Sequence, residues 1–214
     1  MLHIVLTTKN KSIYVKTLHS LLAIEYACSK LGIVIDITFI EDNEKRKMET
    51  LKKKIKDADR LLWFEYGVSV DRNTILGSII KFNGFDGLIF PTVKEGIDWD
   101  MFKTKCMENS TEPSRQMGLV FDTEISQKLL DKEREFHEVT STAPSCWAID
   151  CKKVNRKIHD KKKNFVYPDN VEDFFKKCIN KKVKFAASTQ SETCTHFTHE
   201  CIGNIMNIPG LTVN

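Results

Sequence analysis

Short apolar runs alternate with amphipathic stretches over residues 1–91. Leu2–Leu6, Ile33–Ile40, Leu61–Phe64 and Gly87–Phe90 are too short for helices and are closed by polar residues or proline. Such runs predict strands buried on both faces of a sheet. Between the first two, Ser12–Leu31 carries Tyr14, Val15, Leu18, Leu21, Leu22, Tyr26 and Cys28 at helical spacing, and Gly32 stops the helix. Glu25 falls on the same face and reads as an acid that reaches the helix edge or pairs with a neighbour. Glu44–Lys56 sets Met48, Leu51 and Ile55 on one side of a charged surface helix. Asp71-Arg72-Asn73-Thr74 reads as a cap opening a third helix to Phe82, and Asn83-Gly84 as a turn. The order β-α-β-α-β-α-β predicts a parallel sheet with helices on both faces.

Past residue 92 the texture changes. Gly96-Ile97-Asp98-Trp99 and residues 105–116 read as loops, and Met117–Phe121 as a strand. Lys128–His137 reads as a helix. Ser141–Ser145 forms a turn into a strand at Cys146–Ile149. Lys152–Lys163 is strongly basic, as a solvated helix and loop would be. Asn170 precedes Val171–Cys178, a capped helix with two acids in its first turn, and Val183–Ala187 is a late strand. With no repeat and no low-complexity linker, the chain reads as one domain over 1–214, with halves 1–91 and 92–214.

Composition narrows the class. Of 214 residues 41% are hydrophobic and 29% charged, as in ordinary globular proteins. No apolar run approaches the roughly 20 residues that span a bilayer. A net charge of +4, with lysines and acids interleaved, gives no clustered basic face for nucleic acid. Seven cysteines without a CxxC pair, and no export signal, point to reduced thiols in a cytoplasmic protein.

Candidate chemistry gathers at a few places. Glu65 stands where the Leu61–Phe64 strand reaches the sheet edge, the place where open α/β sheets bind ligands; the competing reading is the start of a solvated loop. Thr7-Thr8-Lys9 ends the first strand with hydroxyls and backbone amides on offer. No GxGxxG follows that strand, and neither a P-loop nor a Gly-x-Ser-x-Gly elbow occurs. Cys194, His196, His199 and Cys201 lie close together, but their spacing does not match structural zinc sites built from two separated pairs. One of the histidines contributing to a shared metal site fits better. The Glu172-Asp173 pair at a helix start suits a carboxylate kept ionised, able to accept a proton.

In sequence order these pieces resemble GT-A glycosyltransferases. Leu61-Leu62-Trp63-Phe64-Glu65-Tyr66-Gly67-Val68 stands where that family has a buried strand ending in Asp-x-Asp. Phe90-Pro91 and Ile97-Asp98-Trp99 resemble the family's Tyr-Pro…Ile-x-Trp segment, and Pro144–Ile149 its small-residue loop and strand beside the acceptor. Glu172-Asp173 matches the Glu-Asp motif, and His196 or His199 the late histidine of the metal site. Within the class, the likeness is greatest to chlorella-virus domains that act on capsid glycans, which would make this chain part of a longer polypeptide.

The resemblance implies an α/β fold of the GT-A (Rossmann-like) type in a single domain, with a mostly parallel central sheet flanked by helices and a smaller acceptor-side sheet region. It implies transfer of a hexosyl or deoxyhexosyl group from a nucleotide sugar, such as UDP-glucose, to a glycan or glycoprotein acceptor. Thr7, Thr8 and Lys9 would meet the base and ribose, with Glu65, Tyr66 and Gly67 beside the donor. Arg46 would reach the diphosphate, unless it is an ordinary solvated helix charge. Mn²⁺ or Mg²⁺ would be held by Glu65 with His196 or His199, and by Asp71 if the strand bends. Asp173, with Glu172, would serve the acceptor hydroxyl. The pattern departs from the family at Gly67, which cannot ligate through a side chain. A non-catalytic nucleotide- or anion-binding module with a decayed metal site is therefore the alternative, and a nucleotidyltransferase of similar topology a third.

Overall fold

A computed structural model describes residues 1–71, 74, 82–94, 96–114, 116–159 and 165–196. Its strands are β1 (Leu2–Thr8), β2 (Ile35–Glu41), β3 (Arg60–Phe64), β4 (Val68–Val70), β5 (Gly87–Ile89), β6 (Thr123–Asp131), β7 (Phe136–Thr142), β8 (Cys146–Asp150), β9 (Phe185–Ser188) and β10 (Thr193–Thr195). Its helices are α1 (Val15–Lys30), α2 (Glu44–Asp57), α3 (Trp99–Met107), α4 (Cys151–Ile158) and α5 (Val171–Asn180). Eight strands form one sheet in the order β2-β1-β3-β8-β5-β9-β7-β6, and β10 pairs with β4 in a small second sheet. Only β8 and β7 run against the common direction of the large sheet. The mostly parallel α/β architecture expected from the pattern is thus present, with one addition. β8, from late in the chain, sits antiparallel between β3 and β5, so the two halves share one sheet.

Alternation along the central strands explains the layering. Leu61 and Trp63 of β3 face one core, with Trp147 and Ile149 of β8 and the apolar faces of α2, α4 and α5. Leu62 and Phe64 face the other, with Ile4, Leu6 and α1. Trp63 and Trp147 are register partners, and their rings stack with centroids 5.3 Å apart. Such aromatic pairs add about 0.5–1.5 kcal/mol beyond their area burial.

Several expectations need correction. Lys128–His137 is not a helix: it spans the β6–β7 hairpin, whose connecting turn puts Glu135 at φ 51°. Its charged composition suits a helix, but β7 is held by β9 on its other side, so the sheet decides. Met117–Phe121 contributes only a single bridge, Phe121 to Val93. Trp99 and residues 105–107, read as parts of two loops, belong to α3, capped by Asp98 accepting from the Met101 N–H at 2.8 Å. β2 is the sheet edge and only partly buried. On α1 the buried face is Thr17, Ser20, Leu21, Ile24 and Cys28, while Val15, Leu22 and Tyr26 are exposed. Ser20 is accepted there because its hydroxyl reaches the Val70 carbonyl at 3.0 Å. The expected helix over 73–82 lies almost wholly outside the described residues. Six cysteines are free among the described residues, four of them buried. No helix there is long and apolar enough to cross a membrane.

Candidate functional site

The C-terminal ends of β1 and β3 open into a cleft of about 450 Å³. The start of α2 supplies Glu44 and Lys47, and the start of α5 supplies Asn170, Val171 and Glu172. The segment Ala143–Ser145, just before β8, forms another wall, and Lys9, Asp42, Tyr66 and His196 complete it. Asn43 caps α2 by accepting from the Arg46 N–H at 3.2 Å, and Asn170 caps α5 by accepting from the Asp173 N–H at 2.8 Å. Two helix N-termini, with their partial positive charge, therefore border the cleft.

At its floor lies a buried lysine. Lys47 leaves α2 on the same side as Leu51 and Ile55, and its side chain is only 9% exposed. Its ammonium meets Asp42 Oδ1 at 2.7 Å, Glu65 Oε2 at 2.8 Å and Glu44 Oε1 at 3.0 Å. Three N–H donors thus have three carboxylate acceptors. Glu65 is fixed from the other side. The Thr7 hydroxyl donates to Oε2 at 3.0 Å, the Trp63 indole N–H donates to Oε1 at 2.9 Å, and the Glu65 N–H donates to the Ser145 carbonyl at 2.8 Å. Burial pushes the Glu65 carboxyl above its usual range, while Lys47, Trp63 and Thr7 pull it back. Burial also works against the Lys47 charge, but the facing carboxylates outweigh it and hold the proton on. Glu44 carries the network onward: its Oε2 accepts from the Val171 N–H at 3.2 Å, tying α2 to α5.

The remaining candidates take different places. Lys9 and Tyr66 line the cleft. The Thr8 hydroxyl is spent on the Ile40 carbonyl at 2.9 Å, and Arg46 is exposed without lining the cleft. Glu172 lines the cleft and pairs with Lys176 at 2.7 Å. Asp173 does not line it; its carboxylate accepts from the Asn170 side-chain amide at 2.9 Å, within the cap of α5. His196 sits at the cleft edge. Its ring stacks on Tyr14 with centroids 4.4 Å apart, and its Nε2 lies 3.1 Å from Ser69 Oγ. Burial, with Lys16 nearby, lowers its pKa, so the ring is neutral at pH 7. Asp71 caps the following turn by accepting from the Thr74 N–H at 2.8 Å and lines a neighbouring cavity. His199 lies outside the described residues.

Among the described residues, the expected ligands Glu65, His196 and Asp71 do not form a site for a divalent ion. Gly67 has φ 78°, and a Cβ there would lie 2.7 Å from the His196 carbonyl oxygen. An acid is therefore sterically barred at that position, quite apart from the missing side chain. Both Glu65 oxygens and His196 Nε2 already have protein partners, and Asp71 belongs to the other cavity. Among the described residues no group of three His, Cys, Asp or Glu side chains is arranged to hold a metal ion.

Sequence reading passed over Lys47, Asp42 and Glu44, and also Asp122. The signal for Lys47 was available: it lies four residues before Leu51 and eight before Ile55, on the apolar face of an otherwise charged helix. Asp122 is buried and accepts from the Thr92 and Ser145 N–H groups, both at 3.1 Å, and from the Thr92 and Thr123 hydroxyls. It holds the Ala143–Ser145 wall in place. No local pattern marks it, since apart from the adjacent Thr123 its partners, Thr92 and Ser145, come from two distant segments.

No protein-family model and no curated protein matches the chain. Among solved structures it is similar to the crystal structure of A197 from STIV, with TM-score 0.50 and 12% identity over 92% of this chain and 86% of that one. Weaker likenesses join it to the catalytic domain of Drosophila β1,4-galactosyltransferase 7 (TM-score 0.45, 6% identity, 88% of this chain and 65% of that one). Another is to a glycosyltransferase involved in the glycosylation of the major capsid of PBCV-1 (TM-score 0.28, 15% identity, 42% of this chain and 50% of that one). At these identities the A197 likeness is one of fold alone, and the two weaker ones carry no weight.

Proposed function

We propose that the chain is a glycosyltransferase that takes its sugar from a nucleoside-diphosphate donor bound in the Lys47 cleft. The observation that carries this reading is the cleft's position and content. It lies across the C-terminal ends of β1 and β3, where open α/β sheets bind ligands, and it holds a buried ammonium between two helix N-termini. That environment suits an anionic diphosphate, and the order of motifs along the chain resembles the GT-A class. Lys9 and Tyr66 meet the nucleoside, a UDP-sugar being the donor proposed. Glu172, rather than Asp173, faces the acceptor hydroxyl, because Glu172 is the member of the pair that lines the cleft. The acceptor is a glycan or glycoprotein, and a viral capsid glycan is the one the resemblance suggests. No step is assigned to a divalent ion, because Glu65, His196 and Asp71, the expected ligands among the described residues, do not converge.

One observation favours a second reading. Gly67 and His196 close the second acid position, as in a binding module that has lost transfer chemistry. A panel of UDP-, GDP- and CMP-sugars separates the two. A transferase binds a donor and slowly hydrolyses it to free sugar, and Glu172→Gln lowers turnover at least tenfold with donor binding unchanged. Binding without turnover in the presence of glycan acceptors favours the module. No binding to any donor overturns the proposed function.

A further inference from the structure

Lys47 raises a question of charge that the donor reading leaves open. Four carboxylates (Asp42, Glu44, Glu65 and Glu172) and two ammoniums (Lys9 and Lys47) line the cleft. An incoming diphosphate needs a cation there, yet all three Lys47 donors are already engaged.

The three acceptors are not equivalent. Glu65 is 17% exposed and is pinned by Thr7 and Trp63. Asp42 is 36% exposed and Glu44 is 51% exposed; turning Glu44 out also releases its Oε2 from the Val171 N–H, which the solvent at the cleft mouth can then satisfy. An exposed carboxylate that turns from an ammonium into water loses little, because its charge is rehydrated and such pairs are worth about 0–1 kcal/mol. A carboxylate as enclosed as Glu65 has no such route. The Lys47 side chain is only 9% exposed and stays on the enclosed Glu65, so the ammonium itself remains in place.

We propose, resting on the glycosyl-transfer reading, that the Lys47 ammonium is the built-in cation that receives the donor's diphosphate. Glu65 is its fixed anchor, and Asp42 and Glu44 are displaceable place-holders. Two of the three N–H donors pass to phosphate oxygens when Asp42 and Glu44 swing out, and the third stays on Glu65. Lys47 then stands where a metal-dependent enzyme would put a divalent ion. This agrees with the steric closure of position 67 and with the lack of a converging ligand set among the described residues. The place-holders have a second consequence. Without donor, they satisfy an ammonium that would otherwise be buried and unpaired.

Calorimetric titration of the whole chain with UDP and with GDP, in EDTA and in Mn²⁺, tests the proposal. The expected result is binding in EDTA that Mn²⁺ changes by less than threefold. The double variant Lys47→Met/Glu65→Gln removes both charges of the buried pair and leaves no lone ion, and its melting curve reports whether it folds. It should bind at least tenfold more weakly than wild type. Asp42→Asn/Glu44→Gln, at exposed positions, removes the competing negative charges and should bind several-fold more tightly. Opposite outcomes overturn the proposal while sparing the donor site: binding that requires Mn²⁺ and is lost in Asp42→Asn/Glu44→Gln makes those carboxylates metal ligands. Equal binding by wild type and a folded Lys47→Met/Glu65→Gln makes Lys47 structural. Failure of both nucleotides, and of the donor panel, under every condition removes the glycosyl-transfer reading and this inference with it.

Discussion

The two ends of β3 carry ion clusters of the same chemistry in opposite surroundings. Just before the strand, Asp59 joins the Met1 amine at 3.0 Å and Lys152 at 2.6 Å, with side chains 48%, 45% and 79% exposed. Just after it, Glu65 joins Lys47, with exposures of 17% and 9%. Asp59 titrates at about 2 because two cations donate to it, yet water surrounds all three groups. Glu65, drawn upward by burial, depends on Lys47, Thr7 and Trp63 to remain charged. Water can replace any partner at the first end, but at the second it cannot stand in for either member of the Glu65–Lys47 pair. Ion pairing therefore decorates one end of the strand and organises the other.

Removing one partner from the enclosed end is the strongest test of this contrast. Lys47→Met leaves Glu65 facing an apolar side chain and should cost about 3 kcal/mol. That is a fall in Tm of roughly 6–12 °C for a chain of this size, read by calorimetry. Adding Glu65→Gln should recover most of the loss; a double variant as unstable as the single would show that the lysine stem's packing matters, not the charge. Gly67→Asp, which would recreate the missing acid, should instead strain a left-handed backbone position and press on the His196 carbonyl. The expected cost is about 1–3 kcal/mol, with no gain in Mn²⁺ affinity.

A smaller effect comes from His196. Its pKa is below the ordinary value of 6.5 in the folded chain, so the unfolded chain takes up the proton first. Its contribution is present above pH 6.5 and is lost as the pH falls through the lowered folded value. Melts at pH 7.5 and 5.5 should show a larger drop for wild type than for His196→Gln. At the exposed end, Asp59→Asn and Lys152→Met should leave the Tm within the reproducibility of the measurement. A loss there comparable to that of Lys47→Met would erase the distinction between the two clusters.

Legibility in the sequence followed the same divide between local and distant causes. β1, β3, α2 and α5 were readable because unbroken apolar runs, 3.6-residue spacing and Asn caps act within a few residues. Glu65 was readable as a candidate because its position after a buried run is itself local. The β6–β7 hairpin was not, since Lys128–His137 is charged and free of breakers, and pairing with β9 overrode that preference. Gly67 was visible as a missing acid but not as a closed position, because the obstructing carbonyl belongs to His196, far along the chain.

The chain's own pattern settled the α/β class, the strand ending at Glu65 and the acidic start of α5, all products of short-range periodicity and capping. Folding settled the rest: β8 inserted between β3 and β5, Asp122 bracing the cleft wall, and Lys47 held among Asp42, Glu44 and Glu65. The physical reason is burial. A lysine among lysines on a charged helix is ordinary until the fold removes water from it; Asp42 and Glu44 lie within five residues of it, and the sheet brings the enclosed counter-charge, Glu65.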